Sequence, residues 1–292
     1  MTGKVCLVTG ATGGIGLVTA RELARAGARV LIVGRTPRGS AEAAARLRAD
    51  AGSSIVEPLS ADLSSQAEIR ALAREVENQT DRLDVLINNA GGIFLDRKES
   101  VDGIEMTFAV NHLAYFLLTN LLLNLLRSSR PARVVNVASG AHRGVTIDFN
   151  DIGGRERFSG WRAYQKSKLA NLLFTRELAR RLEGTGVTVN ALHPGYVNSQ
   201  IFRDQGWRGA IMRRAARAFA ISPERGARTT LYLATSPDVE GVTGGYFAKS
   251  ARARSSPAAH DEAAARLLWQ FSEDLTGLKA PAGQSVLGNG ST

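Results

Sequence analysis

The sequence predicts an α/β fold, a doubly wound parallel sheet of seven strands with helices on both faces. Three observations carry this. Short apolar runs alternate with helix-like stretches from the first residues onward. A glycine-rich loop joins the first apolar run to the first helix. No Pro-, Ser- or Gly-rich linker divides the 292 residues. Strand–helix alternation implies right-handed crossovers and strands covered on both sides.

The apolar runs place strands at 5–9, 29–33, 54–59, 84–88, 133–138, 187–192 and 245–247. Helices are expected near 14–26, 40–51, 64–79, 102–127, 161–183 and 223–235. Gly27 stands where a left-handed cap ends the first helix. Ser222-Pro223 reads as an N-cap followed by proline at the first helical position. These elements define one domain over 1–279. Residues 280–292, rich in Gly, Ser and Pro, read as a flexible tail.

Composition narrows the function classes. Hydrophobic residues make up 44% and charged residues 22%, as in an ordinary globular protein. The net charge of +10 admits nucleic acid, an anionic cofactor or an anionic surface as partner. Arginines concentrate at Arg203, Arg208, Arg213, Arg214 and Arg217, but neither zinc-finger spacing nor a basic zipper accompanies them, so no nucleic-acid partner is expected. The one cysteine, Cys6, lies in an apolar run and reads as a small buried hydrophobe. The greasiest stretch, 114–126, is interrupted by Thr119, Asn120 and Asn124 and falls short of the roughly 20 residues of a membrane helix. No membrane anchor or secretory leader is read, and a cytoplasmic location is expected.

The loop Thr9-Gly10-Ala11-Thr12-Gly13-Gly14-Ile15-Gly16 follows the first strand and opens the first helix. A pyrophosphate held there must approach backbone amides at a helix N-terminus, where a Cβ would block it. The spacing is G-x-x-x-G-x-G rather than G-x-G-x-x-G, and an ordinary glycine-rich turn is the alternative. At the end of the second strand, Val33-Gly34-Arg35-Thr36 carries no acid, and none appears until Glu42. An acidic residue there would accept ribose hydroxyls, whereas Arg35, assisted by Arg38, suits a 2′-phosphate. NADP(H) is therefore favoured over NAD(H), with a plain surface role for Arg35 as the alternative.

Tyr164 and Lys168 are four residues apart, which stacks them on one helix face. An ammonium beside a phenol stabilises the phenolate and lowers its pKa from about 10. Ser139 sits at the carboxyl end of the predicted strand 133–138. Asn88-Asn89-Ala90-Gly91 ends another strand, and His193-Pro194-Gly195 a third. Ligands of open α/β sheets bind outside those ends, beside the glycine loop.

Taken together, TGATGGIG at 9–16, Asp62, NNAG at 88–91, Asn111, Ser139, Tyr164 with Lys168 and the Pro194-Gly195 turn resemble the short-chain dehydrogenase/reductase family over roughly residues 3–278. Within it, the chain looks most like retinol-dehydrogenase-like and WW-domain-oxidoreductase-like members. The stretches 110–113, 133–137 and 268–273 and the long gap from Ser139 to Tyr164 carry that comparison. The resemblance implies a Rossmann fold with strand order 3-2-1-4-5-6-7.

The resemblance also implies roles. Tyr164 gives a proton to a carbonyl or takes one from an alcohol, and Ser139 hydrogen-bonds the substrate oxygen. Lys168 binds the nicotinamide ribose and depresses the Tyr164 pKa, while Asn111 holds a water of a proton relay. Gly10, Thr12, Gly13, Gly14, Ile15 and Gly16 cradle the cofactor. Asp62, with Leu63, contacts the adenine; Asn88, Ala90 and Gly91 line the groove. Pro194, Gly195 and Val197 pack beside the nicotinamide, with Ser199 where many relatives carry threonine. Blander roles stay open, with Asn111 bending its helix, Asp62 as an N-cap and Ser139 as a turn residue. His112, His142, His193 and His260 lack metal-site spacing, so no metal is expected.

Residues 196–222 are expected to form a substrate lid. Ile201, Phe202, Trp207, Ile211, Met212 and Phe219 point to an apolar substrate, and an amphipathic surface helix is the alternative. The insert 141–160 is expected to form another wall. The expected activity is a ketoreductase or alcohol dehydrogenase acting on a hydrophobic ketone, aldehyde or secondary alcohol. An epimerase or dehydratase, and an NADP(H)-binding regulator without turnover, are the competing readings. Homodimer and homotetramer both remain open.

Overall fold

A computed structural model of the protein describes residues 1–52, 55–196 and 221–278. Eight strands form one sheet in the order β3-β2-β1-β4-β5-β6-β7-β8. They are β1 (Val5–Thr9), β2 (Arg29–Gly34), β3 (Val56–Ser60), β4 (Val85–Asn88), β5 (Ala132–Val137), β6 (Val187–His193), β7 (Tyr246–Ala248) and β8 (Ala251–Arg252). The first seven pair in parallel in the expected order.

All five residues of β1 are buried, because both faces of the sheet are covered. Alternate side chains go to opposite layers. Val5 and Leu7 join a core with Ile69, Leu72, Phe116 and Phe174, whereas Cys6 and Val8 join one with Leu23, Leu47 and Leu233. Cys6 is the small buried hydrophobe expected, and burial pushes its thiol up to about 12.

The helices are α1 (Gly14–Arg25), α2 (Pro37–Ala51), α3 (Gln66–Gln79), α4 (Met106–Phe108), α5 (Ala114–Leu121), α6 (Leu123–Ser128), α7 (Gly160–Arg181), α8 (Pro223–Thr235) and α9 (Glu262–Thr276). Most begin on a side-chain cap. Thr36, Ser65, Ser159 and Ser222 accept amides of the first turns of α2, α3, α7 and α8. Gly27 has φ +87, as expected beyond the end of α1.

Three departures from the sequence reading have physical causes. Helix α2 starts at Pro37 rather than 40, because the Thr36 hydroxyl caps it and proline fits its first turn. The single helix expected over 102–127 is instead α4, a π-helical turn at Ala109–Leu113, α5 and α6. Its start waits for Glu105, whose carboxylate accepts from Thr107 N at 2.8 Å and Phe108 N at 2.9 Å. Two elements were not anticipated, β8 and α9. Strand β8 pairs antiparallel with β7 through a turn in which Lys249 and Ser250 have positive φ, without the glycine or asparagine that marks such a hairpin. Helix α9 lies between an Asp261 cap and Gly277 at φ +62, a legible pair of signals beyond the last predicted strand.

The lid expected at 196–222 falls, apart from its ends, outside the described residues. So do Val197, Ser199, the arginine cluster and the tail at 280–292.

Candidate active site

The carboxyl ends of β1, β2, β4, β5 and β6 share one edge of the sheet, since all are parallel. The glycine loop runs along it. Gly13 is the N-cap of α1 and brings no side-chain cap, and the first turn holds no acid. The first-turn amides and the positive end of the helix dipole therefore suit an anion. The glycines serve different needs. A Cβ on Gly10 would stand 2.9 Å from Ala90 Cα, and one on Gly16 would collide with Gly10 O and Asn89 Nδ2. Those two are demanded by the packing of the fold itself. Gly14 has φ +57 and open space where a Cβ would lie, which leaves a cradle at the helix mouth. Thr12 packs its methyl where a Cβ on Gly34 would fall.

Asn89, named in the sequence motif at 88–91 but given no role there, ties this loop to β4. Its Nδ2 donates to Thr9 O at 2.8 Å and to Gly10 O at 3.3 Å, and its own amide donates to Thr9 Oγ1 at 2.9 Å. Ala90 N donates to the same hydroxyl, and Ala90 O accepts from Tyr115 Oη at 2.8 Å. Asn88 is fully buried, and its Nδ2 donates to Thr119 Oγ1 and Asn136 Oδ1, each at 2.9 Å. Its side chain thus belongs to the core under the groove, contrary to the lining role inferred for it. Gly91 keeps the gap above Asn111 and Lys168, because a Cβ there would stand 3.0 Å from Asn111 Oδ1 and 3.5 Å from Lys168 Nζ.

Asn111 occupies the π-helical turn, a local widening frequent at functional sites. Its Oδ1 accepts from Gly92 N at 2.8 Å, and its Nδ2 donates to Gly92 O at 2.9 Å and Ser167 Oγ at 3.0 Å. The amide is committed to positioning these neighbours. Ser167, a second unremarked residue, passes the link on by donating to Tyr164 O at 2.8 Å.

Ser139 follows β5, and its hydroxyl sits beside the buried Tyr164 phenol while accepting from Ala141 N at 3.1 Å. Lys168 lies one turn beyond Tyr164 on α7, buried, with Nζ donating to Val137 O at 2.9 Å. Spacing predicted an ammonium that lowers the phenol's pKa. Burial dominates instead. It raises the Tyr164 phenol, opposed by the Ser139 hydroxyl and reinforced by Tyr196, and it lowers Lys168 to about 7. Lys168 has no carboxylate partner among the described residues, so this buried cation suits a hydroxyl-rich or anionic ligand.

The remaining predicted residues lie around this edge. Arg35 is exposed just past β2, and Arg38 is paired with Glu42 at 2.8 Å. Asp62 does not cap α3, which Ser65 does. Its carboxylate accepts from Ser64 N at 2.9 Å and Ser64 Oγ at 2.8 Å, while Leu63 is buried in the core. Pro194-Gly195 leaves β6, with Gly195 at φ +91 against Ile221. Thr12 and Ile15 stay with the glycine loop. From the insert, Ala141 packs beside Ile93 and Tyr164, but Val145, Ile147, Phe149 and Ile152 turn away into the core with Leu169 and Leu172. Only the ends of the insert thus reach the site. One of these ends is continued by Trp161, which stacks on Tyr164 at 5.7 Å between ring centres.

Residues 4–207 match the family model described as short chain dehydrogenase. The chain belongs to this family. Retinol dehydrogenase 14 of Mus musculus is 45% identical over 293 residues, covering 95% of this chain and 87% of the relative. A solved uncharacterized protein from Mycobacterium Paratuberculosis is 35% identical, with TM-score 0.76 and 96% of each chain covered. The Pseudomonas aeruginosa RhlG/NADP active-site complex is 32% identical, with TM-score 0.68, over 85% of this chain and 94% of that one. This short-chain dehydrogenase is thus retinol-dehydrogenase-like, an oxidoreductase by family. Its sheet edge brings a hydroxyl, a phenol and an ammonium together beside a loop shaped for a nicotinamide cofactor.

Proposed function

We propose that this short-chain dehydrogenase is an NADP(H)-dependent oxidoreductase that interconverts a hydrophobic ketone or aldehyde and its alcohol, with Tyr164 as general acid and base. The observation that carries the reading is the Ser139 hydroxyl set beside the Tyr164 phenol, with the Lys168 ammonium on the same helix face. The cradle at Gly14 and the buried cation at Lys168 fit a dinucleotide.

When bound, the cofactor supplies the hydride for reduction or accepts it in oxidation. In reduction, Tyr164 Oη gives its proton to the carbonyl oxygen, and Ser139 Oγ donates a hydrogen bond to that same oxygen. Lys168 steadies the phenolate left behind. The Asn111 amide is committed elsewhere, so any relay water would rest on the backbone of the π-helical turn. An exposed Arg35 and the absence of an acid before Glu42 support NADP(H) over NAD(H), and the RhlG relative was solved with NADP.

The apolar surroundings of Tyr164 support a hydrophobic substrate. Ile93, Leu95 and Ala141 pack about it, and Trp161 and Tyr196 are 50% and 57% exposed at its mouth. A cytoplasmic location belongs to the same reading, and fractionation of expressing cells checks it. The purified chain should oxidise NADPH with apolar aldehydes or ketones and prefer it to NADH. Absence of turnover across an aldehyde, ketone and alcohol panel, with cofactor bound, would overturn the activity and favour a regulator.

A further inference from the structure

The peptide unit that follows Ser139 is gripped at both ends by imidazoles. Its carbonyl, Ser139 O, faces His142 Nδ1 at 2.6 Å, and its amide, Gly140 N, donates to His193 Nδ1 at 3.0 Å. The two rings come from different elements, His142 from the short turn after β5 and His193 from the last position of β6. Each contact dictates a protonation state. A carbonyl only accepts, so His142 must carry its proton on Nδ1; its Nε2 then accepts from Ser256 N, 3.0 Å away. An amide only donates, so His193 must keep Nδ1 bare and carry its proton on Nε2. Two neutral imidazoles in opposite tautomers therefore hold one peptide plane.

The rings are themselves held. His142 is fully buried, edge-on to Tyr246 with ring centres 5.1 Å apart. The His193 ring lies over Gly140, where a Cβ would meet Nε2 at 3.3 Å. Displacing the Ser139–Gly140 peptide would carry the Ser139 Cα with it and shift the Ser139 side chain relative to the Tyr164 phenol.

We infer that His142 and His193 are positioning residues that lock the Ser139–Gly140 peptide and thereby aim the Ser139 hydroxyl at Tyr164 and the substrate oxygen. This rests on the role proposed for Ser139. Protonating either ring replaces an acceptor with a donor facing an N–H and opens the grip. Arg143 and Arg176 face His142, while His142 and Arg143 face His193, so the nearby charges disfavour that protonation. Burial acts first in the same direction.

The tautomers are read from nitrogen chemical shifts of the protein labelled with ¹⁵N-histidine, assigned with His142→Asn and His193→Asn. A proton on Nδ1 in His142 and on Nε2 in His193 is expected; the same tautomer in both overturns the clamp. This readout needs no turnover, so it stays decisive if the proposed activity fails.

Kinetics test the positioning role. His193→Asn keeps an acceptor near the Nδ1 position and cannot titrate, whereas His193→Leu removes it. The Leu variant should lose about 10- to 100-fold in kcat with little change in KM for NADPH, as for misplacement of a catalytic group. Asn should restore most of that loss, and combining it with His142→Asn should abolish the acid limb of the kcat profile expected of the wild type below the ordinary histidine range. Equal kcat in the Leu and Asn variants, or an acid limb retained in the double Asn variant, would overturn the role.

Discussion

Lys168 Nζ lies 5.7 Å from the centre of the Tyr164 ring on the same face of α7. The cation is buried, with Val137 O accepting from it, and burial alone brings it down to about 7. A group needed as a cation is therefore poised to lose its charge near neutrality, which makes pH the sharpest probe of the site.

For carbonyl reduction, kcat/KM should fall as pH rises through about 7, with a slope of one proton. The charged form of Lys168 is lost above its pKa, and kcat/KM reports the free enzyme. Lys168→Arg should move that limb upward, because a guanidinium stays charged throughout. A limb unmoved by the substitution would assign it to another group.

The same burial costs stability. The folded pKa of Lys168 is depressed from 10.5 to about 7, so the unfolded chain binds more protons between those values. Its contribution therefore improves as pH rises through that window. Lys168→Met should be inactive yet more stable than wild type at about pH 6.5, by on the order of 1–3 kcal/mol, with the advantage shrinking toward about pH 10. Denaturant melts at several pH values check the sign.

Tyr164→Phe keeps the ring and its stacking on Trp161 but removes the proton. Turnover should drop about 10²- to 10⁴-fold with cofactor binding retained. Ser139→Ala should cost about 10²- to 10³-fold as the loss of one preorganised donor. Single-turnover measurements separate these losses from product release.

Arg35→Asp should weaken NADPH and spare or improve NADH, a swing of at least about 10-fold or ~1.4 kcal/mol. Cofactor titration by fluorescence quenching measures it directly. An unchanged preference would remove Arg35 from the phosphate site.

Gly16→Ala drives a methyl into Gly10 O and the Asn89 amide, so it should destabilise the fold by about 1–3 kcal/mol as well as weaken cofactor binding. Gly14→Ala meets no neighbour, although its φ of +57 is strained for alanine. It should cost less stability and act chiefly on the cofactor. Thermal melts without cofactor, beside binding isotherms, distinguish the two.

The sequence by itself determined the layered α/β class, the parallel order through β7, and the meeting of Ser139, Tyr164 and Lys168 at one sheet edge. The class follows from local periodicity; the strand order and the meeting of the three residues are what the resemblance to the short-chain dehydrogenase/reductase family implies, beside the rule that parallel strands end on the same side. Tertiary structure alone decided which polar groups are spent on the core and which face the cleft. Asn88 and Asn89 are adjacent and chemically identical, yet one vanishes into a buried network while the other staples the glycine loop. Only the third dimension brings His193 across 53 residues to Gly140, and only burial turns Lys168 into a cation poised near neutrality. Spacing along a chain sets which side chains share a face. How much water each retains, and whose amide it meets, depends on segments far away in sequence.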